Sequence, residues 1–535
     1  MEMKKLKLNR IVLVLSAVAL TPGFAAAQSF AYVANYGSND VSGYSINPAT
    51  GALTPVPGSP FAAGTTPGAV AVDPTGRFAY VTNQVSGDIS AYTINSATGA
   101  LTPIVGSPFG AGSNPLGIAV DPTGKFVYVV NLGNDNVEAY TINQSTGALT
   151  PIGSPVPAGT IPYLITVDPT GKFVYVANQV SNDVSAYTIN PATGALTPIP
   201  GPFPAGAVAT SPTVDPAGRF LYVANYGSND VSAYVINPAN GALTPIPGPF
   251  AAGTNPESVI VDPTGRFAYV ANTGSGDISG YTINSTTGAL VPISGSPFAG
   301  GGGPTSITVS IDPQGKFAYV ANQLSNDVSA YAINPITGAL NPISGIFLAG
   351  TRPVSIVTIN PEVDARIRYF SNLDKGDSVI NLTNSGAGGG NICVNVYTYG
   401  PDEQMISCCA CPITPNGLAS LSVQSDLISN VLTPAVPTSV TVKLITTNTT
   451  VCNAAVVTGV AGTSPKTLGA WGTTLHAVPT TPVSYQVTET AFTPYTAHGS
   501  ELVTQSTDCF FIGRIGSGFG ICKSCRSGGL GADKQ

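Results

Sequence analysis

Apolar runs of five to eight residues, rich in Val, Ile, Tyr, Thr and Phe and broken by Gly, Pro, Asn and Asp, return at a fixed interval along the chain. These residue types and lengths predict β-strands joined by hairpin turns. FAYVANYGSNDVSGYSIN at residues 30–47 comes back as FLYVANYGSNDVSAYVIN at residues 220–237. The YVxN element occurs seven times, at Tyr32, Tyr80, Tyr128, Tyr175, Tyr222, Tyr269 and Tyr319, in steps of 47 to 50 residues. Each copy continues through [VI]-[SE]-[AG]-Y-x-I-N, a [TN]GAL turn and a Pro-rich stretch, and six are preceded by an apolar run closed by DPxG[KR]F. A period in the forties built from strands predicts a propeller blade.

Within one repeat, Val70-Ala71-Val72 reads as an inner strand buried on both sides, and Asp73-Pro74-Thr75-Gly76 as a type I turn. FAYVTN and ISAYTIN follow as second and third strands, and ATGAL turns the chain into a short outer strand. The repeat region begins directly on a second strand and ends on SIVTINP at residues 355–361, an inner strand with no second strand after it. The last strand is therefore expected to complete the first blade and close the ring, which removes exposed sheet edges. The prediction is an all-β chain with a seven-bladed β-propeller at residues 28–361. Residues shared by every blade are what blades need to stack, so function is sought where repeats differ.

Composition agrees: charged residues are only 9% and hydrophobic residues 43%, with 61 Gly and 46 Pro, which suits an all-β protein with many turns and excludes disorder. The N-terminus has a basic MEMKKLKLNR segment, the apolar IVLVLSAVAL and a small-residue Ala25-Ala26-Ala27 site. Residues 1–27 thus read as a secretory signal, with the mature chain starting near Gln28. The signal has four cations and one carboxylate, so its removal moves the formal charge from −7 to −10. The mature chain has no basic footprint for nucleic acid and no apolar stretch long enough to span a membrane. The expected location is periplasmic, cell-surface or extracellular.

The YVTN-type repeats with DPxG[KR] hairpins resemble the lactonase-like (6-phosphogluconolactonase) family of seven-bladed propellers. The resemblance covers about Phe30 to Pro361 and implies a channel at the ring centre, with catalysis there by His, Arg and Glu side chains. Here the propeller has no histidine; His476 and His498 lie beyond it. In such propellers the loop leading to the inner strand opens on the channel mouth, and in this chain it varies: TPG, NPL, IPY, NPE, GPT, RPV. Glu257 and Arg352 are its only charges and Tyr163 its only aromatic. Such a trio can hold a sugar or carboxylate ligand, or be no more than solvated loop residues. Glu138 replaces the Ser of every other blade, and a local hydrogen-bonding change is the expected reason. The S-[NG]-D turns lack calcium-loop spacing, and no P-loop, dinucleotide fingerprint, HExxH or GxSxG is present. No metal or cofactor is expected.

After Pro361 the repeat stops, and all eight cysteines follow: Cys393, Cys408, Cys409, Cys411, Cys452, Cys509, Cys522 and Cys525. Period-two patterning in SVINLTN, NICVNVYTY, LASLSV, SVTVKLIT and VSYQVTE predicts a second β-rich domain at residues 365–525, with a tail at 526–535. An even cysteine count in an exported chain points to four disulfides, with a thiolate metal site as the alternative for CCAC and CKSC. The region is similar to Cys-rich C-terminal domains of secreted bacterial proteins. Two functions from different classes remain: a non-catalytic scaffold binding a glycan, peptide or envelope protein at the channel mouth, or a lactone hydrolase in which Glu257 activates water and Arg352 holds substrate.

Overall fold

The computed structural model describes residues 29–300 and 309–359 and, beyond these, a set of strands between residues 364 and 496. The expected signal, the tail, the side chains of His476, His498 and Cys409, and Cys452, Cys509, Cys522 and Cys525 lie outside the described residues. In the second blade the strands run Pro67–Val72 (inner), Phe78–Asn83 (second), Asp88–Ile94 (third) and Leu101–Pro103 (outer), in one antiparallel sheet. The hairpin between inner and second strands is held by Asp73, whose Oδ1 accepts the amides of Arg77 and Phe78 at 2.7 and 2.6 Å. Gly76 closes this turn at φ 68°, where a side chain would be strained.

The outer strand differs from the single short strand expected. It is split: Leu101–Pro103 pairs with the end of the third strand, and Phe109–Gly110 pairs with its beginning. Between the two pieces Gly106 turns the chain at φ 91°, and Pro108 has no amide hydrogen to give the ladder. Seven sheets of this kind are present. Phe30–Asn35 pairs on one side with Asp40–Ile46 and on the other with Pro353–Ile359, placing Tyr32 opposite Val357. The seven inner strands neighbour one another in an unbroken circle, so the C-terminal strand of the repeat region closes the ring, as the truncated first repeat predicts.

Two tyrosines per blade explain why the repeat is so uniform. Each YVxN tyrosine donates its hydroxyl to the glycine carbonyl of the [TN]GAL turn in the next blade, from Tyr32 to Gly99 through to Tyr319 to Gly51, at 2.7 to 3.0 Å. Each third-strand tyrosine donates in the opposite direction, to a carbonyl in the outer strand of the preceding blade, as Tyr92 does to Ala62 and Tyr44 to Leu348. The rings fill the inter-blade layers, and all seven YVxN tyrosines are fully buried. Tyr80→Phe keeps the ring but leaves the Gly147 carbonyl without its donor; a loss of about 1–3 kcal/mol is expected in a urea unfolding curve.

In six blades the residue just before the inner strand adopts a left-handed conformation whatever its type: Thr66, Asn114, Ile161, Val208, Asn255 and Arg352 lie at φ 53–57°. In five of these the amide donates to an Asn or Asp side chain of the preceding blade's hairpin, as Ile161 does to Asp135 at 2.8 Å and Arg352 to Asn326 at 2.8 Å. Holding a β-branched residue there costs about 1–2 kcal/mol. The repeat thus imposes one backbone shape on this loop and leaves its side chains free to vary.

The strands beyond the repeat form two further antiparallel sheets. One has the order Met405–Ile413, Ile392–Tyr399, Ser439–Thr447, Asp364–Ser371, Thr493–Thr496; the other Leu418–Ser422, Val379–Asn384, Leu468–Val478, Ser484–Ala491. Phe370, Val394 and Val442 of the first and Ile380, Leu382 and Leu421 of the second share one buried cluster, as in a sandwich. Cys393, Cys408 and Cys411 are buried and disulfide-bonded. The strands at residues 364–371, 405–413, 468–478 and 493–496 and the helical turn Val423–Ile428 were not apparent from patterning, the second because it is interrupted by cysteines and a proline.

Candidate functional site at the channel mouth

Each inner strand begins at the same end of the ring, the face where the hairpins between second and third strands also lie: Asn35 is in register with both Pro353 and Asp40. Just after the opening residue the ladder skips, as between Pro256–Asn272 and Ser258–Ala271. The skipped residue is the unpaired member of a bulge, a device that re-aims a side chain away from the sheet. Glu257 occupies this position in one blade and Tyr163 in another, two blades away, where the skip spans Tyr163 and Leu164. The corresponding positions elsewhere hold Gly68, Leu116, Thr210 and Val354.

These two bulge residues meet. The Tyr163 hydroxyl donates to Glu257 Oε1 at 2.8 Å, reaching past the intervening blade. Glu257 retains only 9% exposure. Burial pushes its carboxyl above the ordinary range, and the Tyr163 hydrogen bond partly offsets this. Tyr163 is itself raised well above the usual phenol value, first by burial and then by the negative charge and hydrogen bond of Glu257. The pair is a phenol donor facing a poorly solvated carboxyl group that holds its proton more tightly than an exposed one. Tyr226 adds a weaker electrostatic influence on Tyr163. Sequence inspection passed over Tyr226, although it and Tyr36 are the only aromatics at the position following YVxN.

Arg352 is not part of this pair. Its guanidinium lies 4.8 Å from the centroid of the Tyr36 ring, and its carbonyl accepts the Tyr36 amide at 2.9 Å. No hydrogen bond or ion pair joins it to Glu257 among the described residues. Of the three residues singled out by sequence, the structure brings together Tyr163 and Glu257 and leaves Arg352 on a separate aromatic platform.

Glu138 sits in the third strand of its blade and accepts a hydrogen bond from the Tyr140 hydroxyl, which also points at the Gly110 carbonyl. Residue 136, two positions earlier on the same strand face, is Asn where the other blades have Asp. Asn131 donates to it at 2.9 Å. A second carboxylate there would repel Glu138, so the two departures from the repeat form one compensated change. Among the described residues no cluster of three or more His, Cys, Asp or Glu could hold a metal ion, and no helix is long and apolar enough to cross a membrane.

A buried carboxylate with raised affinity for a proton, hydrogen-bonded to a phenol at the end of the ring where the inner strands begin, is equipped to take a proton from water and return it. The protein family described as "Lactonase, 7-bladed beta-propeller" matches residues 16–113, 107–211 and 199–308. Among solved structures, a candidate 6-phosphogluconolactonase from Bacteroides uniformis is 19% identical, with a TM-score of 0.54, over 62% of this chain and 100% of that one. The periplasmic gluconolactonase PpgL of Pseudomonas aeruginosa is 18% identical, with a TM-score of 0.54, over 62% of this chain and 99% of that one. At such identities the likeness is one of fold. No curated protein matches the sequence.

Proposed function

Because the chain belongs to the lactonase family of seven-bladed β-propellers, we propose that it hydrolyses a sugar-acid lactone at the channel mouth, with Glu257 as the base. The observation that carries this reading is the hydrogen bond between Tyr163 and Glu257, two bulge residues from separate blades that leave a buried carboxylate poised to accept a proton. Glu257 takes a proton from a water whose oxygen attacks the lactone carbonyl carbon. The ring C–O bond breaks, and the same proton passes to the departing ring oxygen, giving the open hydroxy acid. Tyr163 orients the carboxylate and is the neutral donor beside it. The signal-like segment at residues 1–27 and the cysteine-rich region support an exported enzyme, with its eight cysteines in four disulfides.

One observation favours the second reading, a binding scaffold without turnover: Arg352 is held on Tyr36, so among the described residues the site has no hydrogen-bonded cation to stabilise an oxyanion. Hydrolysis of a panel of sugar-acid and simple lactones by the purified mature chain separates the two. Turnover above the blank that survives Arg352→Ala and is lost in Glu257→Ala is expected. A folded wild type with no turnover on any lactone would leave the scaffold reading, with a glycan, peptide or envelope protein as ligand.

A further inference from the structure

The charges of the propeller are sorted by face. Six aspartates open the third strands at the mouth face: Asp40, Asp88, Asp183, Asp230, Asp277 and Asp327. Asp135 and Glu138 stand in the remaining blade, and Glu257 is at the mouth itself. Nine carboxylates therefore share this face with one cation, Arg352, and none of the nine is ion-paired among the described residues. At the opposite face each of the six DPxG aspartates is followed four residues later by an Arg or Lys, from Asp73 with Arg77 to Asp312 with Lys316, so that face sums to zero. The propeller's formal charge of −8 thus lies wholly at the mouth.

From this asymmetry we propose that the mouth selects uncharged ligands, a neutral lactone or polyol, and disfavours phosphorylated or carboxylated ones. The proposal rests on the lactone reading for its substrate class, but its physical basis is independent of catalysis. Third strands lie two strand spacings, about 10 Å, outward from the inner strands. The aspartates therefore surround the mouth at about one Debye length in physiological salt and act together on an approaching charge when salt is lower. At the centre, Glu257 is already poorly solvated, and Gly68, Leu116, Thr210 and Val354 at the equivalent positions bring no positive charge. A phosphate arriving there would find, among the described residues, no arginine or lysine positioned to receive it, since Arg352 is engaged with Tyr36.

The test is calorimetric titration of the full mature chain with two probes, D-glucono-δ-lactam and its 6-phosphate, at salt concentrations from 10 mM to 0.5 M. δ-Gluconolactone hydrolysis is measured alongside. The lactam is expected to bind with little salt dependence, and the phosphate at least about 10-fold more weakly at 10 mM salt, with the gap narrowing as salt rises. The double variant Asp135→Asn, Glu138→Ser carries the residues other blades use and is expected to narrow the low-salt gap while leaving lactam affinity unchanged. Phosphate binding equal to or tighter than the lactam at 10 mM salt, or binding of neither probe, overturns the proposal. Lactam binding tighter than that of the phosphate at 10 mM salt, without lactone turnover, would uphold charge selection and sink the hydrolase reading alone.

Discussion

Glu257→Gln is expected to lower kcat/KM for lactone hydrolysis by at least about 100-fold, because general-base assistance contributes on the order of 10²–10⁴-fold and an amide cannot accept the proton. The substitution keeps the side chain's volume, and its carbonyl oxygen can still accept the Tyr163 hydroxyl now bonded at 2.8 Å. The loss would therefore not come from collapse of the mouth. A stability measurement separates chemistry from folding. The folded carboxyl of Glu257 titrates above its unfolded value. The stabilisation from its protonation is complete below the unfolded pKa and is lost as pH rises through the folded one. As pH rises through that folded value the wild type takes on a buried charge that Glu257→Gln never carries, so the variant should escape this loss and melt no lower than wild type there. A variant that melts lower and is inactive would point to structural loss; one that is stable and fully active would remove Glu257 from the chemistry.

Ile356→Asp is expected to be the most damaging single change in the propeller. Ile356 is 4% exposed in the strand that closes the ring and packs with Ala31, Val33, Tyr44 and Tyr319, which span the last blade and the first. An unpaired carboxylate there has no partner, and a loss of about 3–5 kcal/mol is anticipated from comparable buried charges. Ile336→Asp, at a position 85% exposed, serves as the control and should stay within about 0.5 kcal/mol. Urea unfolding of the two variants measures the contrast. Equal curves would mean that strand 353–359 does not seal the ring.

The propeller was legible in the sequence because every blade spells the same inter-blade bonds. The YVxN tyrosine and the [TN]GAL glycine are hydrogen-bond partners in adjacent blades, so the motif and the contact repeat together. Ring closure was readable from a first repeat lacking its inner strand and a last repeat lacking everything after it. The split outer strand was less visible, since two-residue strands carry no periodicity and are defined by what they pair with. At the site, the departure of Tyr163 and Glu257 from the repeat marked them, but the bulge that turns both toward one another belongs to backbone register, which residue types do not display. Arg352 carried an equally strong sequence signal and lies elsewhere, because it occupies the left-handed residue before its inner strand, two positions ahead of the bulge, and its guanidinium rests over the Tyr36 ring. Beyond residue 361, alternation revealed five of the nine described strands; those at 364–371, 468–478 and 493–496 were not marked by it, and the cysteine-bearing strand at 405–413 broke the pattern.

The central claim is that a buried Glu257, tuned by Tyr163, is the working base. Its most direct test is the pH dependence of kcat/KM for a sugar-acid lactone, in wild type and Tyr163→Phe. Activity should fall on the acid side with a limb above the ordinary glutamate range, since burial holds the carboxyl's proton more tightly. Removing the Tyr163 hydroxyl takes away the hydrogen bond that favours the ionised form, so the limb should move to higher pH in Tyr163→Phe. A limb that stays in place in the variant, or a rate that does not fall on acidification, would contradict the account.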